Sequence, residues 1–398
     1  MNQSTEPIPF ARPAIGAGEE EAVLRVLRSG WLTTGAEASK LEGRYAAAVA
    51  PDAEAVAVSS ATAGLHLVFE ALALPPGSQV ALSPYTFTAS AEILRYLGLH
   101  PRFVDICDEN CRLDLAALEK TLEQSPEIRA VMAIHIAGYP EDMPGLHGLA
   151  ERRGLPVVED AAHRLPRGGT GAVPHPASAA GVFSLYATKP VTAGEGGVVV
   201  TRREELAARA RTMRLHGIDR DVWRRYRDTR ASWQYDVVEA GYKYNLPDLL
   251  AAIARVQFDS AESRRTRRRE IARRYNAAFA DRDYLSIPEE HPEHDWHLYR
   301  LSLQTDRLSG DRDAFAKALR ERGIGTSVHY IPLHHFSYYR RAYGLTPADL
   351  PVATAVYERS LSLPLYASLT DEEVERVVEA VLAVGDAAYR RSARVAGE

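Results

Sequence analysis

The sequence predicts an α/β protein with a mostly parallel sheet and a second, smaller α+β unit, on three observations. Short β-branched runs alternate with helical patterns from residue 55 to about 200. The segments between those runs carry apolar residues at three- and four-residue spacing, the period of a helix with one buried face. Beyond Pro288 the order changes to strand, helix, strand, helix.

In chain order, strands are expected at 55–59, 79–83, 101–105, 130–136, 156–159, 181–184 and 196–201, with helices in the gaps, for example 62–74 and 143–153. A helix at 203–216 precedes a long aromatic and charged stretch reaching Tyr244, a lid or a subunit contact. A helical segment then runs from Pro247 to about 280, followed by a strand at 297–303, a helix at 311–322, a strand at 326–331 and a last helix from Thr370. With 398 residues, 46% of them hydrophobic, the chain exceeds the usual size of a single core. The expected division is a large domain over 1–250, then a helical connection and small domain over 251–398.

The net charge of -5, from 48 basic and 53 acidic side chains, gives no overall pull toward nucleic acid or an anionic membrane. The start, Met-Asn-Gln-Ser-Thr-Glu-Pro, has no apolar leader, and no apolar run approaches the ~18 residues of a membrane span. A cytoplasmic enzyme is expected. Cys107 and Cys111 have no second pair or histidine cluster to complete a metal site, so no metal is expected. The arginine run 264–269 reads as a solvated helix face.

Lysine occurs at 40, 120, 189, 243 and 317, and the first, second and last of these lie in amphipathic helical contexts. Lys189 and Lys243 remain as candidates for amine chemistry. Lys189 follows the strand Gly181-Val182-Phe183-Ser184 and precedes the turn Ala193-Gly194-Glu195-Gly196-Gly197, where glycines let backbone pass close to a ligand. Such a lysine suits a cofactor aldehyde. The apolar run Leu155-Pro156-Val157-Val158 ends in Glu159-Asp160; Asp160 is either a strand-end cap or the carboxylate that keeps a pyridine nitrogen protonated. His163 follows as a ring-oxygen contact or a helix-start polar residue. Ser60-Ala61-Thr62 opens a helix after a strand and is either an ordinary N-cap or a phosphate cradle. Phe87, in Pro84-Tyr85-Thr86-Phe87, is either a stacking ring or a core aromatic.

Together these stretches resemble the DegT/DnrJ/StrS family of pyridoxal-phosphate (PLP)-dependent sugar aminotransferases, which share the aspartate-aminotransferase fold, fold type I. The resemblance also rests on Ser29 to Gly35, His135-Ile136-Ala137-Gly138-Tyr139-Pro140, Gly241-Tyr242-Lys243-Tyr244-Asn245 and Val328 to His334. It implies Lys189 as the Schiff-base lysine, Asp160 as the ring-nitrogen partner, His163 at the ring oxygen, Phe87 stacked on the ring, and Ser60, Ala61, Thr62 and Ser184 at the phosphate. Asn245 is expected to reach the phosphate of the other subunit of a homodimer, which makes Lys243 part of an interface loop. Trp31, Thr33, His329 and Tyr330 are expected at the substrate, with His329 near the amino donor's carboxylate. Many relatives carry Gly at the Ala61 position and Gln at the His163 position.

The implied reaction moves an amino group from L-glutamate, released as 2-oxoglutarate, through pyridoxamine phosphate to a keto sugar on dTDP or UDP, with carbon 4 of a 4-keto-6-deoxyhexose or 4-keto-pentose the favoured position and carbon 3 the alternative. Relatives with His in place of the lysine are dehydratases, a class that Lys189 argues against. Arginine-rich segments near 224 and 264 are candidates for the nucleotide diphosphate.

Overall fold

The computed structural model describes residues 6–219 and 235–390. Among the described residues there are two sheets. The larger contains β1 (Glu54–Val58), β2 (Gln79–Leu82), β3 (His100–Phe103), β4 (Ile128–Ile134), β5 (Val157–Asp160), β6 (Ala180–Ser184) and β7 (Gly197–Thr201) in the order β1-β7-β6-β5-β4-β2-β3. Strands β3, β2, β4, β5 and β6 pair in parallel, and β7 is antiparallel to both β6 and β1. Each of the seven expected strands has its counterpart here, shifted by a residue or two at the ends.

The strands are apolar on both sides because helices cover both faces. On one face Val56, Val158, Val182 and Val199 pack against α3 (Ala61–Ala71), α4 (Ala89–Tyr96) and α7 (Glu204–Met213), with Leu65, Ile93 and Leu206 in the shared core. On the other, Ala57, Val198 and Val200 meet Leu41 and Tyr45 of α2 (Ala36–Val49) and Ala251 of α8 (Asp248–Asp259). Further along that sheet, Val131 and Val157 meet Leu118 of α5 (Leu115–Gln124) and Leu146 of α6 (Met143–Glu151). Helix α1 (Ala17–Ser29) packs through Ala22 and Val26 on Ala252 of α8.

The single helical segment expected from 247 to 280 is two helices, α8 and α9 (Ala261–Phe279), separated at Ser260. Beyond them lie β8 (Leu285–Ser286), β9 (Tyr299–Leu303), α10 (Arg312–Glu321), α11 (Ser337–Tyr343), α12 (Pro351–Arg359), β10 (Ser360–Leu363) and α13 (Asp371–Ala388). The second sheet is antiparallel, in the order β10-β9-β8. The strand expected at 326–331 does not form. Ser327 makes one bridge to Ser362, and His329 and Tyr330 after it line the cavity described below. The core under this sheet includes Tyr275, Tyr299, Leu319, Leu361 and Val377, together with Ile8 from the chain start. The last helix begins at a reciprocal cap: Thr370 Oγ1 accepts from the Glu373 N–H at 3.1 Å, and the Glu373 carboxylate accepts from the Thr370 N–H at 2.9 Å.

The run 264–269 is not a solvated face. Arg268 is buried and donates to the carbonyls of His297 and Leu365 at 3.1 and 3.0 Å. Arg264 meets Gln257 and Glu19, Arg265 meets Glu262, Arg267 meets Asp371, and Arg269 reaches the Pro292 carbonyl. These cations tie α9 to the rest of the chain, because its charged side lies against loop carbonyls and carboxylates rather than water.

A buried ion pair joins the segment after β5 to the one before β9. Asp295, fully buried, accepts from Arg164 Nε at 2.7 Å and from the Leu165 N–H at 3.0 Å, and also meets Arg167. Removing Asp295 leaves the Arg164 guanidinium buried without a counter-charge, which costs about 3–5 kcal/mol. Asp295→Ala is therefore expected to lower the urea midpoint of unfolding by a corresponding amount, and an unchanged midpoint would show the pair to be unimportant to the fold.

Candidate active site

A cavity of about 580 Å³ opens at the carboxyl ends of β4, β5 and β6, the position where open α/β sheets bind ligands. Strand β7 is decisive for its floor. Because β7 runs against its neighbours, its first residue arrives at the same edge where β1 and β6 finish, so Gly197 stands opposite both Val58 and Ser184. A Cβ on Gly197 would lie 2.6 Å from the Ala61 nitrogen and the Ser60 carbonyl carbon. Only glycine lets the start of α3 settle there.

Ser60 is extended, and its Oγ accepts from the Ala63 N–H at 3.0 Å, an N-cap that begins α3. The first amides of the helix have no acceptor within it, and the residues carrying them, Ala61 and Thr62, line the cavity beside Ser184. This end of the cavity suits an anion.

Asp160, the last residue of β5, is buried at the cavity wall. Its Oδ1 accepts from the Ala162 N–H at 3.1 Å and its Oδ2 from Ser90 Oγ at 2.8 Å. Its neighbour Glu159 points to the opposite face of the sheet, as alternate strand residues must. There it is held by His135 Nε2 at 3.0 Å and by Ser178 Oγ and the His175 N–H, both at 2.6 Å. Of the two carboxylates only Asp160 faces the cavity.

Lys189 enters from the turn after β6, its N–H bonded to the Tyr186 carbonyl at 2.9 Å. Burial outweighs the attraction of Asp160 and lowers the amine to about 8. Its surroundings contain neutral imidazoles. His163 is driven well below the usual histidine range by burial, then by Lys189 and His329. Its Nδ1 accepts from the Ala137 N–H at 3.1 Å, so the ring proton sits on Nε2, which donates to the Tyr330 hydroxyl at 3.0 Å. The tight turn that presents Ala137 needs Gly138, at φ 87°, since a Cβ there would meet the His163 carbonyl at 2.9 Å. His329 is lowered to about 4 by burial and Lys189, bonds Ser362 at 2.9 Å, and stacks on Phe10 at 5.1 Å. Phe87 is 58% exposed although it lines the cavity, so its ring is a face without a cover.

An anion cradle, a recessed carboxylate, an amine of lowered basicity and an uncovered aromatic ring fit the phosphate, ring nitrogen, aldehyde and ring face of PLP. The cavity brings together Ser60, Ala61, Thr62, Phe87, Asp160, His163, Ser184, Lys189, His329 and Tyr330. It does not include Trp31, Thr33 or Asn245. Trp31 Nε1 donates to the Thr34 carbonyl at 3.2 Å, the Thr33 carbonyl accepts from the Asp248 N–H at 3.2 Å, and Asn245 Nδ2 donates to Thr34 Oγ1 at 2.7 Å. Asn245 is nonetheless close by in the fold, bridged to Val58 at the end of β1.

Sequence reasoning missed Phe10, Ser90 and His297, all on the cavity wall. His297 lies 4.3 Å from His163 between ring centroids, and its Nδ1 is buried with no partner among the described residues. No pattern marked Phe10 or Ser90, and His297 was legible only as the start of a strand. The arginines near 264 are engaged within the protein, and those near 224 lie outside the described residues. No group of three or more metal-ligating side chains occurs among the described residues, and no described helix is long and apolar enough to cross a membrane.

Comparison with known proteins agrees with this geometry. The chain is 39% identical over 377 residues to the spore coat polysaccharide biosynthesis protein SpsC of Bacillus subtilis, covering 94% of this chain and 96% of the relative. A Helicobacter pylori aminotransferase involved in pseudoaminic acid biosynthesis superposes with a TM-score of 0.88 at 25% identity, over 96% of this chain and all 100% of that one. A Streptococcus pneumoniae protein in its PMP form gives a TM-score of 0.87 at 29% identity, over 96% and 98% of the two chains. With residues 13–382 matched by the family model, the chain belongs to the DegT/DnrJ/EryC1/StrS aminotransferase family, whose members work with pyridoxal phosphate.

Proposed function

We propose that this enzyme transfers the amino group of L-glutamate to carbon 4 of a keto sugar linked to dTDP or UDP, with PLP held in the cavity at the sheet edge. The observation that carries the reading is the meeting of Lys189, Asp160 and the start of α3 in one cavity. In this reading the α3 amides, Ser60, Thr62 and Ser184 hold the phosphate, Asp160 holds the ring nitrogen, His163 turns its Nε2 proton from the Tyr330 hydroxyl to the ring oxygen, and Phe87 covers the ring. When bound, PLP supplies an electron sink for the carbon that carries the amine. Lys189, close to half neutral near pH 8, takes a proton from that carbon and returns it on the other side of the exchange. His329 and Tyr330 border the space left for donor and sugar.

The same reading makes the active form a homodimer. Asn245, Trp31 and Thr33 lie outside their own chain's cavity, and their assignment is to the partner's site, with Asn245 at its phosphate. The proposed two-domain division at 250/251 would leave the site between them, with His297, Ser327, His329 and Tyr330 contributed by the second.

Purified enzyme given glutamate and a panel of 4-keto and 3-keto nucleotide sugars is expected to aminate the 4-keto members. Turnover of 3-keto sugars alone would overturn the carbon-4 assignment, and no amination of any would overturn the sugar substrate. Lys189→Ala is expected to abolish turnover and borohydride-stable attachment of PLP; retained attachment would move the role to another lysine.

The lowered basicity of Lys189 has a direct readout in the apoprotein. Only the neutral amine reacts with an acylating reagent, and its neutral fraction rises through pH about 8 rather than the ordinary 10.5. At pH 8 that is about half the molecules, against roughly 0.3% for an exposed lysine. Mass-spectrometric labelling rates at Lys189 should therefore level off about a unit above pH 8, where the rate of a free model lysine peptide is still climbing, and parallel profiles would contradict the shift.

For the shared site, Lys189→Ala and Asn245→Asp chains are mixed and allowed to exchange. Each mixed dimer has one intact site of two, so activity should return toward about a quarter of wild type, as half the dimers are mixed. Confirmed exchange without activity would return Asn245 to its own chain.

A further inference from the structure

A carboxylate can hold a ring nitrogen in place only if its own orientation is held, and the two oxygens of Asp160 are gripped by different kinds of donor. Oδ1 takes a backbone N–H from Ala162, two residues along the chain. Oδ2 takes the hydroxyl of Ser90, which reaches it from another element, the first turn of α4, at 2.8 Å. Ser90 is 0% exposed, and its oxygen lies 2.9 Å from the buried hydroxyl of Thr86.

The direction of that pair follows from chemistry. An ionised carboxylate only accepts, so the Ser90 hydrogen points at Asp160. The Ser90 oxygen is then left to accept, and Thr86 donates to it. Both hydroxyls are thus committed in one sense, Thr86 to Ser90 to Asp160, and a hydrogen bond to a charged acceptor in a buried site is among the stronger kinds. Thr86 sits immediately before Phe87, in the turn that follows β2. One short segment therefore presents a ring at the cavity and, from beneath, a pair of hydroxyls to the carboxylate.

We propose that Ser90, backed by Thr86, is a positioning residue of the aminotransferase: it orients the Asp160 carboxylate, so that this group can hold the ring nitrogen protonated. The proposal rests on the assignment of Asp160 to that nitrogen. Ser90 acts through Asp160, and its removal should change the protonation of the ring more than the retention of the cofactor, whose phosphate is bound elsewhere in the cavity.

The test uses holoenzyme reconstituted with PLP isotopically labelled at the ring nitrogen and read by NMR. In the wild type the resonance should be that of a protonated ring nitrogen. In Ser90→Ala it should move toward the unprotonated position, and in Ser90→Cys, which restores bulk but is a weak donor, it should move likewise; Thr86→Val should move it the same way by less. The rate of the glutamate half-reaction should fall by roughly ten-fold or more in Ser90→Ala, the effect of losing a hydrogen bond to a charged group, while dialysis shows PLP retained. If Ser90→Ala fails to fold, the nearly isosteric Thr86→Val carries the same measurement. Asp160→Asn is the control. A resonance that moves in Asp160→Asn but stays at the wild-type position in the Ser90 and Thr86 variants overturns the positioning role alone. A resonance unmoved in Asp160→Asn overturns the assignment of Asp160 itself. Recovery of the wild-type resonance in Ser90→Cys would show that Ser90 acts by filling space.

Discussion

A carboxylate at the end of a buried strand must be satisfied by the protein or offered to something that binds there, and β5 ends in one of each. Strand geometry sends Glu159 and Asp160 to opposite faces. Burial pushes the Glu159 carboxyl up, but His135, Ser178 and the His175 N–H outweigh burial and hold it below the ordinary range. His135 is correspondingly neutral, lowered by its own burial, and its Nδ1 accepts from the Glu141 N–H at 3.1 Å. This closed network fastens the ends of β4 and β5 to the loop before β6. With Glu159 consumed, Asp160 is free to face the cavity with a fixed backbone behind it.

The second constraint is topological. In an all-parallel sheet the start of β7 would lie at the far edge. Its reversal places Gly197 against the start of α3, and the missing side chain allows backbone to approach backbone there. The anion end and the carboxylate end of the cavity are therefore set by two neighbouring features of one sheet. Lys189 comes between them on the turn that joins β6 to β7, so its reach is limited by the same reversal.

The electrostatics of the cavity follow from its burial. Lys189 and the imidazoles of His163, His297 and His329 lie close together, and a buried group of this kind holds few cations at once. Each histidine is lowered, and the amine keeps its proton more readily than they do because an amine is ordinarily about four units more basic than an imidazole and Asp160 opposes its desolvation. The result is a site in which a proton can reside on Lys189 or leave it near neutral pH. Loops distant in sequence maintain this arrangement: the Asp295–Arg164 pair holds the segment carrying His163 against the one carrying His297, and Arg268 fixes the carbonyl of His297 from behind.

The positions along the chain and the number of the large-sheet strands, the strand-end lysine and carboxylate, and the glycines at the β6–β7 turn were legible in the sequence, because each is expressed in local pattern: apolar runs, turn residues, and the scarcity of lysine; the order of the strands in the sheet was not. Local pattern also carried Ser60 to Thr62, where a strand meets a helix. It misread 264–269, since a run of arginines looks the same whether it meets water or carbonyls from residues 297 and 365. It placed a strand at 326–331, where Ser327, His329 and Tyr330 serve a cavity wall instead. Ser90, Phe10 and His297 carried no signal of a place in the site, because their meaning depends on what lies opposite them across the fold: Asp160 for Ser90, His329 for Phe10, His163 for His297. Sequence alone determined which chemical groups the chain has at the ends of its strands; tertiary structure decided which of them share a cavity, because side chains from residues 10 to 330 meet at the sheet edge only once the chain has folded.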